Sequence, residues 1–148
     1  MNPEEFQKGF NAFATENKSS LKINNLKVVE GSVQNTFEYW FTKKIGMIGT
    51  INKIDGSLRS VMIVGQGDGT MESTADLFTI YVFLIAVTNP SLVPDDRGTI
   101  MTELGFFDKN NDINNMNKST IRNGIKYSAS YSKELGLLFS AGDASEKK

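Results

Sequence analysis

The stretch GQGDGTMESTADLFTIYVFLIAVTNPSLVPDDRGTIMTELG, residues 65–105, decides how this chain folds. Its centre, Leu77 to Val87, is apolar on nearly every side, which predicts a helix that is buried on most of its surface. A buried strand is the alternative, because Thr79 to Thr88 is rich in β-branched and aromatic residues. The helix is favoured since Met71 to Thr88 exceeds the length of a typical strand and starts with capping and acidic residues. Asn89-Pro90 ends it.

The glycines that precede this helix resemble a phosphate-binding loop, because Gly65, Gly67 and Gly69 would let backbone amides approach an anion at a helix N-terminus. The spacing does not match the dinucleotide-binding fingerprint, and no Gly-Lys-Ser/Thr follows. Asp68 also places a negative charge where a phosphate would bind. We therefore interpret the segment as a strand-to-helix turn that requires positive φ angles.

Upstream of this segment, the pattern predicts one helix and four strands. Asn2-Pro3 followed by Glu4 and Glu5 is typical of a helix start, and the helix should end near Asn17 and pack into the core. The aromatic stripe that should face the core consists of Phe6, Phe10 and Phe13. From Leu21 onward, apolar residues recur at every second position. The four strands carry Leu21 with Ile23, then Val33–Phe41, Ile45–Ile51 and Leu58–Val64, with Asp55-Gly56 as a two-residue hairpin turn.

Downstream, Pro94 with Asp95 and Asp96 predicts a third helix that Gly105 closes. Two strands follow, one with Ile121, Ile125 and Tyr127 and the other with Leu135, Leu137 and Phe139, and a tail over residues 142–148 should fray. The order α-β-β-β-β-α-α-β-β predicts a single two-layer α+β domain over residues 1–148, with helices on one face of a twisted antiparallel sheet. This order resembles the layout of small bacterial secretion chaperones.

Composition excludes several classes of protein. The chain has 148 residues, a formal net charge of −1, no cysteine and no histidine. A basic face for nucleic acid is therefore not expected, and disulfides and thiolate metal sites are impossible. The longest apolar run, Ile80 to Val87, is much shorter than the roughly 20 residues of a membrane helix, so no membrane span is expected.

No catalytic or cofactor motif emerges, and we expect a protein that is not an enzyme and has no cofactor. Without histidine, no serine has the usual activating base. Asp95, Asp96 and Glu103 are explained by the helix dipole and solvent exposure. Residues 108–112 match the first half of an EF-hand loop, but Ile113 stands where glycine is required. A solvated loop is the simpler interpretation, and weak cation binding is the alternative.

A surface for protein contact is the main functional prediction. If Val33, Phe37, Tyr39 and Phe41 face the helices, Trp40 lies on the opposite side of the sheet, because side chains alternate along a strand. Exposed tryptophans anchor interfaces. The candidate interaction residues on that side are Trp40, Glu38, Ile48, Val61 and Ile63, with Thr36 and Thr50 beside them. The alternative is that the C-terminal strands or the first helix cover this face.

These observations predict a non-catalytic bacterial domain that binds another protein or a second copy of itself. A location in the bacterial envelope, or secretion, is favoured over the cytoplasm, and the domain would then be the mature part of a longer product. One alternative is a cytoplasmic binder similar to secretion chaperones. Another is a carrier of a small apolar ligand, held between the central helix and the sheet.

Overall fold

A computed structural model describes residues 1–66, 71–106 and 116–144, with the backbone alone at 71–74. The described residues form three helices and one seven-stranded antiparallel sheet, which confirms the predicted two-layer α+β class. The elements are α1 (Pro3–Glu16), β1 (Val28–Val29), β2 (Asn35–Trp40), β3 (Ile45–Ile51), β4 (Leu58–Gly65), α2 (Met71–Thr88), α3 (Pro94–Glu103), β5 (Asn117–Arg122), β6 (Ile125–Ser132) and β7 (Gly136–Asp143).

The sheet has the order β1-β2-β3-β4-β7-β6-β5, so β4 is its central strand. The helices lie on one face, which we call the inner face. On that face the ring of Phe6 in α1 lies 6.3 Å from that of Phe37, and Tyr81 in α2 stacks on Phe139 at 4.4 Å. The helix predicted over Met71 to Thr88 is confirmed, and Ile80 and Tyr81 near its centre are fully buried.

The first helix begins as predicted. The Asn2 side chain accepts a hydrogen bond from the backbone of Glu5, and the Glu5 carboxylate accepts one from the backbone of Asn2, which completes a capping box. Phe6 and Phe10 are fully buried, and Phe13 packs against the same cluster. The aromatic stripe is therefore part of the core.

The strand predicted at Leu21 and Ile23 is wrong. The first strand is instead the short β1, and residues 19–27 are irregular. The side chain of Asn11 makes the hydrogen bonds that a neighbouring strand would otherwise make with Ile23. The amide oxygen of Asn11 accepts from the Ile23 N–H, and its amide nitrogen donates to the Ile23 carbonyl, both at 2.7 Å. Both backbone groups of buried Ile23 are therefore satisfied by a helix side chain, and no ladder forms.

The C-terminal part contains three strands where two were predicted. Asn123 and Gly124 have φ values of 52° and 79°, and they turn the chain between β5 and β6. The segment predicted as one strand, Ile121 to Tyr127, therefore consists of the end of β5, a two-residue hairpin turn and the start of β6. The predicted frayed tail also begins too early, since Gly142 and Asp143 are paired within β7. Residues 145–148 lie outside the described residues.

Glu103 at the end of α3 joins the helical layer to the edge strand β5. Its carboxylate accepts hydrogen bonds from the Thr120 hydroxyl and the Arg122 guanidinium, and these bonds lower the pKa of Glu103. Gly105 follows with a φ of 91°, as predicted for the residue that closes this helix.

Two buried tyrosines on the inner side differ in how their hydroxyls are satisfied. The Tyr127 hydroxyl bonds to the Thr88 hydroxyl at 2.7 Å and accepts from the Asn89 amide at 3.0 Å. The Tyr81 hydroxyl is buried with no hydrogen-bond partner in the described structure. Burial raises the pKa of both tyrosines, and the two hydrogen bonds to Tyr127 oppose that rise.

We expect Tyr81→Phe to stabilise the protein by about 1 kcal/mol, because it removes a buried hydroxyl that has no partner. The matched control is Tyr127→Phe, which leaves Thr88 and Asn89 without their shared partner and should destabilise by about 1–2 kcal/mol. Urea denaturation of both variants measures the two effects. A loss of stability in Tyr81→Phe would show that its hydroxyl has a partner, such as a bound ligand or water.

None of the helices in the described ranges combines the length and the apolarity that a membrane span requires. Gly65, the first glycine of the predicted turn, instead ends β4, and its φ is not positive, so that part of the prediction is wrong. Gly67 and Gly69 and the acidic loop over 108–112 lie outside the described residues. The phosphate and cation interpretations of those segments are therefore not tested.

Candidate interaction surface

The face of the sheet opposite the helices, which we call the outer face, consists of parallel rows of side chains from neighbouring strands. The pairing registers define each row. The first row is Thr36, Thr50, Ser60, Gly142 and Lys126; the second is Glu38, Ile48, Met62, Ser140 and Ser128; the third is Trp40, Gly46, Val64, Leu138 and Ser130. Most of these residues are exposed or half-buried, and the described helices pack on the other face.

Trp40 is the most prominent residue of the outer face and has a defined orientation. It is 53% exposed. Its indole nitrogen donates a 2.7 Å hydrogen bond to the Glu38 carboxylate. The indole also lies across Gly46, where an added Cβ would be 3.0 Å from the ring. A large side chain held in place before binding loses little conformational entropy on contact, which favours a role as an interface anchor.

The structure places three of the five predicted interaction residues together and separates two from them. Trp40, Glu38 and Ile48 lie on the outer face, with Thr36 and Thr50 beside them. The predicted placement of Val61 and Ile63 on that face is wrong, since they are 2% and 0% exposed and belong to the core on the inner side.

The reason for this error is a β-bulge near the start of β4. A two-residue turn at Asp55-Gly56 would pair Ile48 with Ile63. In the structure the Asn52 N–H donates to the Ser57 carbonyl and closes a longer loop, and Ile51 pairs with Leu58, a shift of two residues that keeps the faces. The register then shifts by one residue between Ile51 and Thr50, so that Ile48 pairs with Met62. A shift of one residue moves every side chain of a strand to the other face.

Three apolar residues of the outer face were missed by sequence reasoning. Met62 and Val64 lie on the outer face, where Val61 and Ile63 were predicted. Leu138 in β7 continues the third row. Val64 is buried, with Gly46 between it and Trp40 in the row. The alternation along β4 contained the signal, but its correct phase depends on the β-bulge between Thr50 and Ile51.

The outer face also contains a groove of about 550 Å³. The groove runs over β4, β7 and β6, and small side chains form its floor. These are Ser60, Ser128, Ser140 and Gly142. Lys126, Arg59 and Asp143 line it as well, and Arg59 donates a 3.1 Å hydrogen bond to Gln34. On the outer face, Trp40 and Ile48 therefore lie on the β2–β3 side, and Ser128, Ser140 and Gly142 lie on the β7–β6 side beside Leu138 and Lys126.

The space between the layers contains a smaller cavity of about 260 Å³ at one end of the sheet. Leu58, Val61 and Ile125 line it with Thr88 and Met1. Ligand pockets for small molecules usually measure about 300–1,000 Å³. Elsewhere in the interface between α2 and the sheet, Tyr81 stacks on Phe139.

The described residues contain no group of three or more Asp, Glu, His or Cys side chains that could hold a metal ion. Asp55 has a lowered pKa as well, because of hydrogen bonds from the Ser57 hydroxyl and backbone at the tip of the β3–β4 turn. Asp55 stabilises the turn and lines neither the groove nor the cavity between the layers.

The described residues define the class: a two-layer α+β fold whose seven-stranded antiparallel sheet has one face that the described helices leave uncovered. No protein family, no curated protein and no solved structure matches this chain. The outer face is therefore the part of the molecule from which a function can be inferred.

Proposed function

We propose that this protein is a non-catalytic protein-binding domain and that the outer face of its sheet is the contact surface. The observation that carries the proposal is Trp40, a half-exposed tryptophan oriented by Glu38 and Gly46 on a face that the described helices leave uncovered. Tryptophan is the residue type most enriched among the energetic anchors of protein interfaces.

Apolar neighbours support this interpretation. Ile48 is 38% exposed beside Trp40, and Met62 and Leu138 extend the apolar surface across β4 and β7. A contiguous exposed apolar patch with polar residues around it is typical of interaction sites in soluble proteins. Serines and threonines in the adjacent rows supply donors and acceptors for a polar rim.

A photo-crosslinking residue introduced at Ile48 tests the proposal in the cells that express the protein. We expect crosslinked protein adducts from this position, because the side chain is exposed at the centre of the patch. The matched control is the same residue at Val93, an exposed apolar position that precedes α3 on the helical side. Equal adduct yields from both positions, or none from Ile48, would contradict a binding role for the outer face.

Fluorescence gives a second readout, because Trp40 is the single tryptophan of the chain. Its emission should shift to shorter wavelength and resist acrylamide quenching when a partner covers the outer face. Unchanged emission in a complex that forms would place the contact elsewhere on the molecule.

The other predictions for function stay predictions. A carrier of a small apolar ligand would use the cavity between the layers, which is smaller than usual ligand pockets. A secretion-chaperone-like binder and a bacterial envelope or secreted protein would both be compatible with binding through the outer face. The crosslinked partner, once identified, distinguishes these possibilities.

A further inference from the structure

We infer that a second copy of this chain binds the outer face, so that two sheets pack face to face about a two-fold axis along β4. This inference rests on the proposed function and names the partner. Its basis is the arrangement of large and small side chains in the three rows of the outer face.

The position of β4 makes such a dimer symmetric. With three strands on each side of it, a two-fold axis parallel to β4 places β3 of one copy over β7 of the other, and β2 over β6. Packed sheets of this kind are aligned within about 30° and lie about 10 Å apart. In a two-fold interface every contact occurs twice, so the face must complement itself.

The rows meet this requirement. In the second row, Ile48 faces Ser140 of the second copy and Glu38 faces Ser128, while Met62 lies on the axis. In the third row, Trp40 faces Ser130, and Leu138 faces Gly46 with the Trp40 indole that lies across it. Ile48, Glu38 and Trp40 are therefore each opposite a serine, which lets the two faces interdigitate, and Leu138 is opposite an aromatic ring.

The charges follow the same symmetry. Among the residues of the three rows, Glu38 is the acidic one and Lys126 the basic one, and they lie in β2 and β6, two strands from the axis on opposite sides. In the dimer each Glu38 lies one row, about 7 Å along the strand, from Lys126 of the second copy. A lysine side chain spans that distance, so both pairs of opposite charge can form.

The available area fits a specific dimer. Seven strands at about 4.8 Å spacing and about six residues of strand length give roughly 600 Å² per copy. Two copies would bury about 1,200 Å², at the lower end of specific protein interfaces. We therefore expect a reversible dimer whose population depends on protein concentration.

Sedimentation equilibrium of the purified chain at concentrations from about 1 μM to about 500 μM, a range that covers reversible dimers, tests the inference. We expect a monomer–dimer equilibrium, and Trp40→Ala should weaken it by about 30-fold or more. Val93→Ala, the control at an exposed apolar residue on the helical side, should leave the dissociation constant unchanged. A wild-type chain that stays monomeric over the whole range overturns the inference.

A charge reversal tests the symmetry itself. Glu38→Lys and Lys126→Glu should each weaken self-association by about tenfold, because each introduces two like-charge contacts per dimer. A mixture of the two variants should form a heterodimer at close to wild-type affinity, since both facing pairs are then of opposite sign. Lys8→Glu on the far side of α1 is the control and should have no effect. Independent behaviour of the two variants in the mixture would overturn the two-fold arrangement.

The crosslinking experiment at Ile48 separates this inference from the proposed function. Adducts between two copies of the chain support both. Adducts with a different protein, combined with a monomeric chain in sedimentation, overturn the dimer and leave the proposed function intact. The absence of any adduct overturns both.

Discussion

Gly136→Ala is expected to lower the free energy of unfolding by about 3 kcal/mol or more, combining backbone strain with overpacking. Gly136 begins β7 with a φ of 91°, a conformation that strains any residue with a Cβ. An added Cβ would also overlap the carbonyl of Gly65 and lie 3.1 Å from the Cα of Gln66. Because both obstacles are backbone atoms, relief requires β7 to move away from β4.

Gly56→Ala separates the two causes, because Gly56 has a similar φ of 74° but no atom within 4 Å of an added Cβ. It should cost about 1–2 kcal/mol, which is the price of the left-handed conformation alone. Urea denaturation of both variants, monitored by circular dichroism, gives the difference. Equal losses in the two variants would contradict the close approach of Gly136 to the end of β4.

Much of the fold follows from local signals in the sequence. The central helix from Met71 to Thr88 was predictable because its length exceeds that of a strand, and Asn89-Pro90 marks its end. The first helix was predictable from its capping residues. These signals act within a few residues, so no knowledge of the tertiary structure is needed to interpret them.

The predicted strands are wrong where contacts between distant residues, or the details of a turn, determine the structure. Residues Leu21 to Ile23 have the alternation of a strand, but the Asn11 side chain satisfies the backbone of Ile23 from a helix that precedes it. This contact has no local signature. Asn123-Gly124 does have one, since Asn-Gly is the strongest sequence signal for a two-residue hairpin, and it distinguishes β5 from β6.

The candidate site was predictable on β2 and β3 and not on β4. Trp40, Glu38 and Ile48 share a face because alternation within each strand and the pairing of the two strands agree. On β4 the longer turn shifts the register by two residues and keeps the faces, and the β-bulge between Thr50 and Ile51 shifts it back by one. A register shift of one residue moves the side chains of a strand to the opposite face of the sheet. Met62 therefore lies opposite Ile48, where Ile63 was predicted.

Gly49→Ala is the second variant with a large expected effect, a loss of about 3 kcal/mol in the free energy of unfolding by overpacking. Gly49 pairs with Phe37 across β2 and β3, and the buried Phe37 ring lies directly over it on the inner face. An added Cβ would overlap that ring. The ring has little room to move, because Phe6 of α1 packs beside it with ring centroids 6.3 Å apart.

Gly46→Ala is the matched control in the same strand, since Gly46 pairs with Trp40 on the outer face. There an added Cβ would be 3.0 Å from the indole, and the half-exposed indole can shift into solvent. We expect a stability change below about 1 kcal/mol and a change in Trp40 fluorescence, because the contact lies at the surface. Combining Gly49→Ala with Phe37→Leu should recover part of the loss, as two residues in contact are not additive. Equal destabilisation by Gly46→Ala and Gly49→Ala would mean that the outer face is as closely covered as the core, which contradicts the open surface on which the proposed function depends.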